Sequence, residues 1–346
     1  MNQRNARHPC LSTRTRRGVA PIALLLTAAL AGACGQHRPA RSTTPAPPPV
    51  SNTTPQTQRA PAAKHVILIV LENQEATAVL RSVHNGIFPA LEDRYAVLTA
   101  YRAVAHPSLP NYLALLSGST QGMSRNCLDC VFTAPSLADT LAAAGLTWKE
   151  YVEDLPPRAG DIDKMSIKVR IPFLFFRSVI SSPAAIANIE PLIRLDDDIR
   201  HGTLPAFSIV VPNLCHAMHD CGILAGDAWL TQFIRPLLNS PAIHDSIIYI
   251  TFDEATRKDK QGGGGHVATL VLGPLVRRDA ESAAPLNHYS LLRAIEDNLN
   301  LPYLGQSASA IPITGIWQND GSWPERVQPP SSSVHGTLDG SRRRLR

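Results

Sequence analysis

Four stretches of the chain are apolar almost without interruption: 65–71, 207–211, 247–252 and 267–272. They are rich in β-branched residues and show no polar alternation, which predicts strands buried on both faces. Between them lie segments with helical spacing. One spans 109–116 behind Ser108. A second spans 136–144, with a serine to cap it and Gly145 to stop it. Two more, 227–238 and 289–299, are amphipathic. Strands of this kind alternating with helices predict an α/β fold with a mainly parallel sheet flanked by helices. Ligands of such sheets sit beyond the carboxyl ends of the strands, so polar residues at those ends are the first candidates for chemistry.

Composition and charge divide the chain into parts. Hydrophobic content of 44% with 18% charged residues is globular composition. The formal charge of +5 belongs to the flanks. Residues 1–34 carry five arginines and no acid, and residues 35–64 carry four bases and no acid. The flanks hold more than the whole surplus, so the central part, 65–316, is net acidic. A nucleic-acid binder would place its positive charge on the folded domain, which argues against that class. Residues 1–34 read as an export signal: an Arg-rich start, an apolar run too short to span a bilayer, then Ala31, Gly32, Ala33 and Cys34. Small residues directly before a cysteine resemble a bacterial lipoprotein signal, in which Cys34 is lipidated and becomes the anchor. The simpler alternative is a secretory signal cleaved nearby. Residues 35–63 are Pro/Thr-rich and read as a disordered linker. The folded domain is expected over 64–318, with a disordered basic tail over 319–346.

Cys10 and Cys34 fall in the leader. The other four cysteines form two close pairs, Cys127/Cys130 and Cys215/Cys221. In an oxidising compartment these suggest two local disulfides. A four-cysteine zinc site is the rival, but the second pair is widely spaced for one.

The candidate chemistry gathers at strand ends. The first strand runs into Glu72-Asn73 and the third into Asp253-Glu254. Hard oxygen donors converging on one rim suit a divalent cation, and like charges there are costly without one. The plain alternative is that each acid caps a following helix. Ser108, in the string His106-Pro107-Ser108-Leu109-Pro110-Asn111-Tyr112, is expected to cap its helix. On local sequence alone that is the simpler reading of it. A serine at a helix N-terminus can also contact an anion and act as a nucleophile. His216, His219 and Asp220 share a loop between two cysteines, and His266 follows a run of four glycines. Such glycines permit close approach to a ligand, or simply make a flexible loop.

Taken together, Glu72-Asn73, the 106–112 string, Pro212-Asn213 with His219-Asp220, Asp253-Glu254 and the glycine run before His266-Val267 resemble the phosphoesterase family. So does Asn287-His288-Tyr289-Ser290-Leu291-Leu292-Arg293. That family contains bacterial acid phosphatases and non-haemolytic-type phospholipases C. The resemblance covers about 65–316, with the motifs in order, and implies an alkaline-phosphatase-like α/β fold. It implies that Glu72, Asn73, Asp253, Glu254 and the Ser108 oxygen bind a divalent metal, which could be Ca, Mg, Mn or Zn. It implies that Ser108 attacks phosphorus, while His106, His219 and His266 stabilise phosphoryl oxygens or protonate the leaving alcohol. Asn111, His216 and Arg170 are expected to contact the substrate.

Two positions depart from the family pattern. Ala217 stands where relatives commonly carry an acid, and Arg170-Ile171 where they show a histidine and an asparagine. Arg170 can clamp phosphate but cannot serve as a general acid at neutral pH. The expected function is an exported, metal-dependent, acid phosphatase-like phosphomonoesterase. It would act on a small phosphoester or a phospholipid and be held at the membrane through its lipid anchor, on the cell surface or in the periplasm, or else be secreted. Two alternatives stand beside it. One is a phospholipase C-type phosphodiesterase, for which Phe173-Leu174-Phe175-Phe176 could form an acyl entrance or simply core. The other is a non-catalytic anion-binding surface lipoprotein.

Overall fold

The computed structural model describes residues 60–82, 86–156 and 168–318. The leader with Cys34, most of the linker and the basic tail lie outside the described residues. The linker's last residues are not a free spacer. Ala63 N–H donates to the Asn298 carbonyl at 2.9 Å, and Asn298 Nδ2 donates to the Pro61 carbonyl at 2.7 Å. The folded domain therefore takes in residues from about 60 onward.

The described chain runs β1 (His65–Leu71), α1 (Ala76–Ser82), α2 (Ile87–Glu92), β2 (Ala96–Leu98), α3 (Ser108–Ser117), α4 (Leu137–Ala143) and β3 (Trp148–Val152). Then come α5 (Arg177–Ile180), α6 (Pro183–Ile186), β4 (Ile189–Pro191), α7 (Ile193–His201), β5 (Phe207–Val211) and α8 (Gly222–Leu238). The last elements are β6 (Ser246–Phe252), β7 (Leu270–Leu272), β8 (Glu281–Ser282) and α9 (His288–Asn298). One eight-stranded sheet has the order β4-β3-β5-β1-β6-β7-β2-β8. Its pairings are parallel except where β7 lies antiparallel between β6 and β2. The expected α/β architecture with a mainly parallel sheet is present.

The apolar runs at 65–71 and 247–252 become the two central strands, because only a doubly covered strand can bury both faces. Every residue of β6 and all of β1 beyond His65 are buried. The run at 267–272 yields a shorter strand than expected, over 270–272, and it runs antiparallel. Strands β2, β3, β4 and β8 lie outside the long apolar runs. They are short or carry polar residues such as Lys149 and Glu150, so the pattern does not reveal them.

The register between β1 and β6 places the site. Leu71 pairs with Phe252, so Glu72-Asn73 and Asp253-Glu254 leave the sheet side by side at its carboxyl edge.

Candidate active site

Asn73 and Asp253 tie the two strand ends together. Asn73 has φ of 54°, and its backbone N–H donates to Asp253 Oδ1 at 3.1 Å. The Glu254 N–H donates to the same oxygen at 2.6 Å. The other amide and carboxylate oxygens, Asn73 Oδ1 and Asp253 Oδ2, are buried without a hydrogen-bond partner. Glu72 is buried, and its Oε1 accepts from the Tyr112 hydroxyl at 2.7 Å.

Burial and mutual repulsion dominate the electrostatics. Desolvation pushes the Asp253 carboxyl well above its ordinary range, and the charges of Glu72 and Glu254 add to this. Desolvation also raises Glu72 and Glu254. Tyr112, Arg170 and His219 oppose the shift at Glu72, and His106 opposes it at Glu254. Among the described residues no three His, Cys, Asp or Glu side chains form a ready-made ligand cluster. The donor set that does converge includes an amide: Asn73 Oδ1 and Asp253 Oδ2, both orphaned, between two buried glutamates. Orphaned buried oxygens beside mutually repelling carboxylates are what a hard divalent cation would satisfy. The residues fit such an ion.

Ser108 departs from the cap expected of it. The residue before the helix is Pro107, and Ser108 is the first residue of α3, with no side-chain cap bond at that end. Its hydroxyl donates to Glu254 Oε1 at 3.2 Å. Released from capping, the serine oxygen faces the acid rim.

The segment leading to Ser108 is held from behind. Asn111 Oδ1 accepts from the backbone N–H groups of Val104 and Ala105, each at 3.0 Å. Its Nδ2 donates to the carbonyls of Ala105 and Pro107 at 2.8 and 3.3 Å. All its hydrogen-bonding capacity is spent on the loop. Asn111 thus shapes the approach to Ser108, which corrects the expected substrate contact. The glycine run does similar work. A Cβ on Gly264 would lie 2.4 Å from the Ala105 carbonyl oxygen, and one on Gly263 would lie 2.2 Å from that of Val104. The close approach these glycines permit is to this loop.

The histidines separate. His106 Nδ1 meets Glu254 Oε2, and its Nε2 donates to the Asp259 carbonyl at 2.8 Å. Both of its nitrogens are thus engaged within the protein, and it orients Glu254. His266 Nε2 donates to the Thr99 carbonyl at 3.0 Å. His216 Nδ1 lies 2.8 Å from Glu153 Oε1, and its ring stacks on Trp229 at 5.8 Å. His219 Nδ1 lies 2.6 Å from Asp220 Oδ1, and its ring is partly open to solvent. Arg170 is buried. It donates to the Pro212 carbonyl and bears electrostatically on Glu72.

Cys127 bonds Cys130 and Cys215 bonds Cys221, the two local pairings. Phe173, Leu174, Phe175 and Phe176 are all buried in the core, so they offer no acyl entrance. Ala217 is also buried. Its N–H donates to the Asn213 carbonyl at 2.7 Å and its carbonyl accepts from Glu72 N–H at 2.8 Å, so this position positions the rim through its backbone.

Two residues of the site, Tyr112 and Glu153, were given no role from the sequence, and a third, His288, was singled out there without one. Tyr112 is in the quoted string, and its place four residues beyond Ser108, on the same helix face, is a signal that could have found it. Glu153 follows an unrecognised strand and left no signal. His288 is fully buried, donates from Nε2 to the Asp253 carbonyl at 2.7 Å and accepts the Tyr101 hydroxyl at Nδ1, 2.9 Å away. It braces the backbone under Asp253. Burial holds its pKa down at about 4, so it stays neutral there.

The Ser108 hydroxyl lies against a carboxylate-rich rim at the carboxyl edge of a mainly parallel sheet, and the family and relatives that match this chain make it a phosphoric ester hydrolase. The chain belongs to the Phosphoesterase family, whose model matches residues 71–302. It is 30% identical over 260 residues to a phosphatidylinositol-3-phosphatase of Mycobacterium tuberculosis, covering 74% of this chain and 84% of that protein. It is 29% identical over 224 residues to a phosphate-repressible acid phosphatase of Penicillium chrysogenum, covering 61% of this chain and 53% of that protein. The chain thus spans about half the length of this fungal relative. Among solved structures, a lipoteichoic acid synthase of Listeria monocytogenes shares the fold, with a TM-score of 0.51 and 10% identity, covering 72% of this chain and 75% of that one.

Proposed function

We propose that the chain is an exported, metal-dependent phosphomonoesterase of acid phosphatase type, with Ser108 as nucleophile. The observation that carries this reading is the Ser108 hydroxyl turned onto Glu254 beside the orphaned Asn73 Oδ1 and Asp253 Oδ2. The names of the mycobacterial and fungal relatives support a phosphomonoester substrate, on a lipid headgroup or a soluble alcohol.

Glu72, Asn73, Asp253, Glu254 and the Ser108 oxygen would hold the cation, which supplies charge neutralisation and a lowered serine pKa when bound. Ser108 Oγ attacks phosphorus, the bond to the leaving alcohol breaks, and the serine proton passes to Glu254 Oε1. His219, oriented by Asp220 and reachable from solvent, gives the leaving oxygen its proton when it carries one. Water then attacks the phosphoserine and gives a proton to His219; the bond to Ser108 Oγ breaks, inorganic phosphate leaves, and Glu254 returns the proton to Ser108. Cys34 would anchor the protein through lipid, which labelled palmitate and a Cys34→Ser variant would test.

The test uses p-nitrophenyl phosphate and its phosphorylcholine ester, after EDTA treatment and re-addition of Ca²⁺, Mg²⁺, Mn²⁺ or Zn²⁺. The expected result is metal-restored hydrolysis of the monoester that falls at least about a thousandfold in Ser108→Ala, with melting temperature retained. Equal turnover by the wild type and Ser108→Ala overturns the reading. Metal binding without turnover points to the non-catalytic module.

A further inference from the structure

A cleft of about 490 Å³ opens beside His106 and Pro107, the two residues before Ser108, between the loop after β6 and the loop after α3. His106 and Pro107 form its inner wall. Asn126 lines it too, and its Oδ1 accepts from the Leu109 N–H at 3.0 Å, in the first turn of α3. The remaining wall is Ser124 with three cations: Arg125 beside it on one loop, and Arg257 and Lys260 from the other. All three cations are exposed, and no carboxylate among the described residues forms an ion pair with them. Asp259, the acid next to Lys260, turns its carboxylate onto the backbone N–H groups of Gln261 and His266, at 3.0 and 2.9 Å. It therefore does not close on the cleft's cations through its hydrogen bonds.

This arrangement is out of keeping with the rest of the domain. Residues 65–316 are net acidic, and the rim itself concentrates carboxylates. Charge left to solvent would be spread over the surface. Here two separate loops bring three cations into one concavity whose wall includes Pro107, the residue before the serine. The rim's own orphaned oxygens call for a cation, so a second anion site beside them has to be supplied by the neighbouring loops. Arginine and lysine at a concave wall bind phosphoryl oxygens, the arginines by forked contacts.

We infer that Arg125, Arg257 and Lys260 form a subsite for a second phosphoryl group carried on the leaving alcohol of the substrate. The preferred substrate is then a bisphosphorylated alcohol, and the cleft selects it over a simple monoester. This deepens the phosphomonoesterase reading and rests on it. The second phosphate could belong to a soluble polyol bisphosphate or to a phosphoinositide headgroup. Both present the same chemistry to the cleft.

The experiment compares kcat/KM for fructose 1,6-bisphosphate, fructose 6-phosphate, p-nitrophenyl phosphate and short-chain phosphatidylinositol 3-phosphate. It uses the full-length protein and the variants Arg257→Gln, Lys260→Gln and Arg125→Gln, singly and together. The expected result is that the triple variant loses about tenfold or more in the ratio of bisphosphate to monophosphate kcat/KM. Its p-nitrophenyl phosphate activity should stay within about twofold of wild type. The bisphosphate preference should also weaken as salt rises through physiological strength. A preference shown by the lipid alone assigns the second phosphate to a headgroup, and one shown by the sugar assigns it to a soluble alcohol. A ratio unchanged in the triple variant, with p-nitrophenyl phosphate activity intact, overturns the subsite. Loss of p-nitrophenyl phosphate turnover in the wild type instead overturns the esterase reading. In that event, calorimetric titration of the same variants with fructose 1,6-bisphosphate decides the subsite: equal affinities for wild type and triple variant sink it.

Discussion

Tyr112 donates its hydroxyl proton to Glu72 Oε1 at 2.7 Å, and so ties α3 to the end of β1. Tyr112 lies one helical turn beyond Ser108, on the same face. The bond therefore fixes where the serine stands against the acid rim. Burial and the adjacent Glu72 charge hold the phenol well above its ordinary pKa, so it remains a donor. Tyr112→Phe should fold but lose about 1.5–3 kcal/mol of stability, the usual worth of a hydrogen bond to a charged group. Its kcat should fall more than its KM rises, because Ser108, the proposed nucleophile, is displaced while substrate contacts remain. Thermal melts and steady-state kinetics on a monoester check both, and unchanged kcat would separate Tyr112 from the serine's placement.

Asn111 bears the loop that precedes Ser108. In Asn111→Ala the Val104 and Ala105 N–H groups lose their acceptor inside the protein. A stability loss of about 1–3 kcal/mol is expected, since half-buried donors left unpaired carry part of their desolvation penalty. Asn111→Asp keeps the acceptor oxygen and should recover part of that loss. If both variants melted together with wild type, the loop would be held by other contacts.

Gly264 tests the role of the glycine run. A methyl group there collides with the Ala105 carbonyl at 2.4 Å and with the Ala103 Cβ at 2.7 Å. Both partners are held in place, so the loop before Ser108 has to shift. Gly264→Ala should cost about 1–3 kcal/mol and lower turnover about tenfold or more, in line with the sensitivity of catalysis to small displacements. Wild-type activity in this variant would mean that the run serves only as a flexible link.

Glu296 supplies a pH signature remote from the rim. Its Oε1 accepts from Leu304 N–H at 2.8 Å and its Oε2 pairs with the Ser307 hydroxyl at 2.6 Å, while burial raises its pKa to about 8. The folded protein keeps this proton between pH 4.5 and about 8, whereas the unfolded chain releases it. Stability from this group is therefore full below pH 4.5 and declines as pH rises toward 8. Glu296→Gln retains an oxygen for Leu304 and an N–H for Ser307 and cannot titrate. The melting temperature of wild type minus that of the variant should fall across this window. A difference independent of pH would show that Glu296 is ionised in the folded state.

The sequence by itself determined the central strands, the α/β class and the residues at the carboxyl rim. A strand buried on both faces must be apolar throughout, and that demand is written in the 65–71 and 247–252 runs. Glu72-Asn73 and Asp253-Glu254 were legible as a pair of strand ends for the same reason. Tertiary structure alone decided the rest. The direction of β7 depends on its pairing partners, which an apolar run does not encode. Whether Ser108 caps its helix or turns to Glu254 depends on where a residue 146 positions away is held. Asn111 and His216 were expected to contact the substrate, and the family resemblance implied that His106 acts on phosphoryl oxygens or the leaving alcohol. Their hydrogen bonds were spent on the backbone of the preceding loop, on Glu153 and, for His106, on Glu254 with the Asp259 carbonyl. Polar side chains of this kind satisfy whichever partner folding brings within reach, and that partner is set by the packing of distant segments, which the local pattern does not contain.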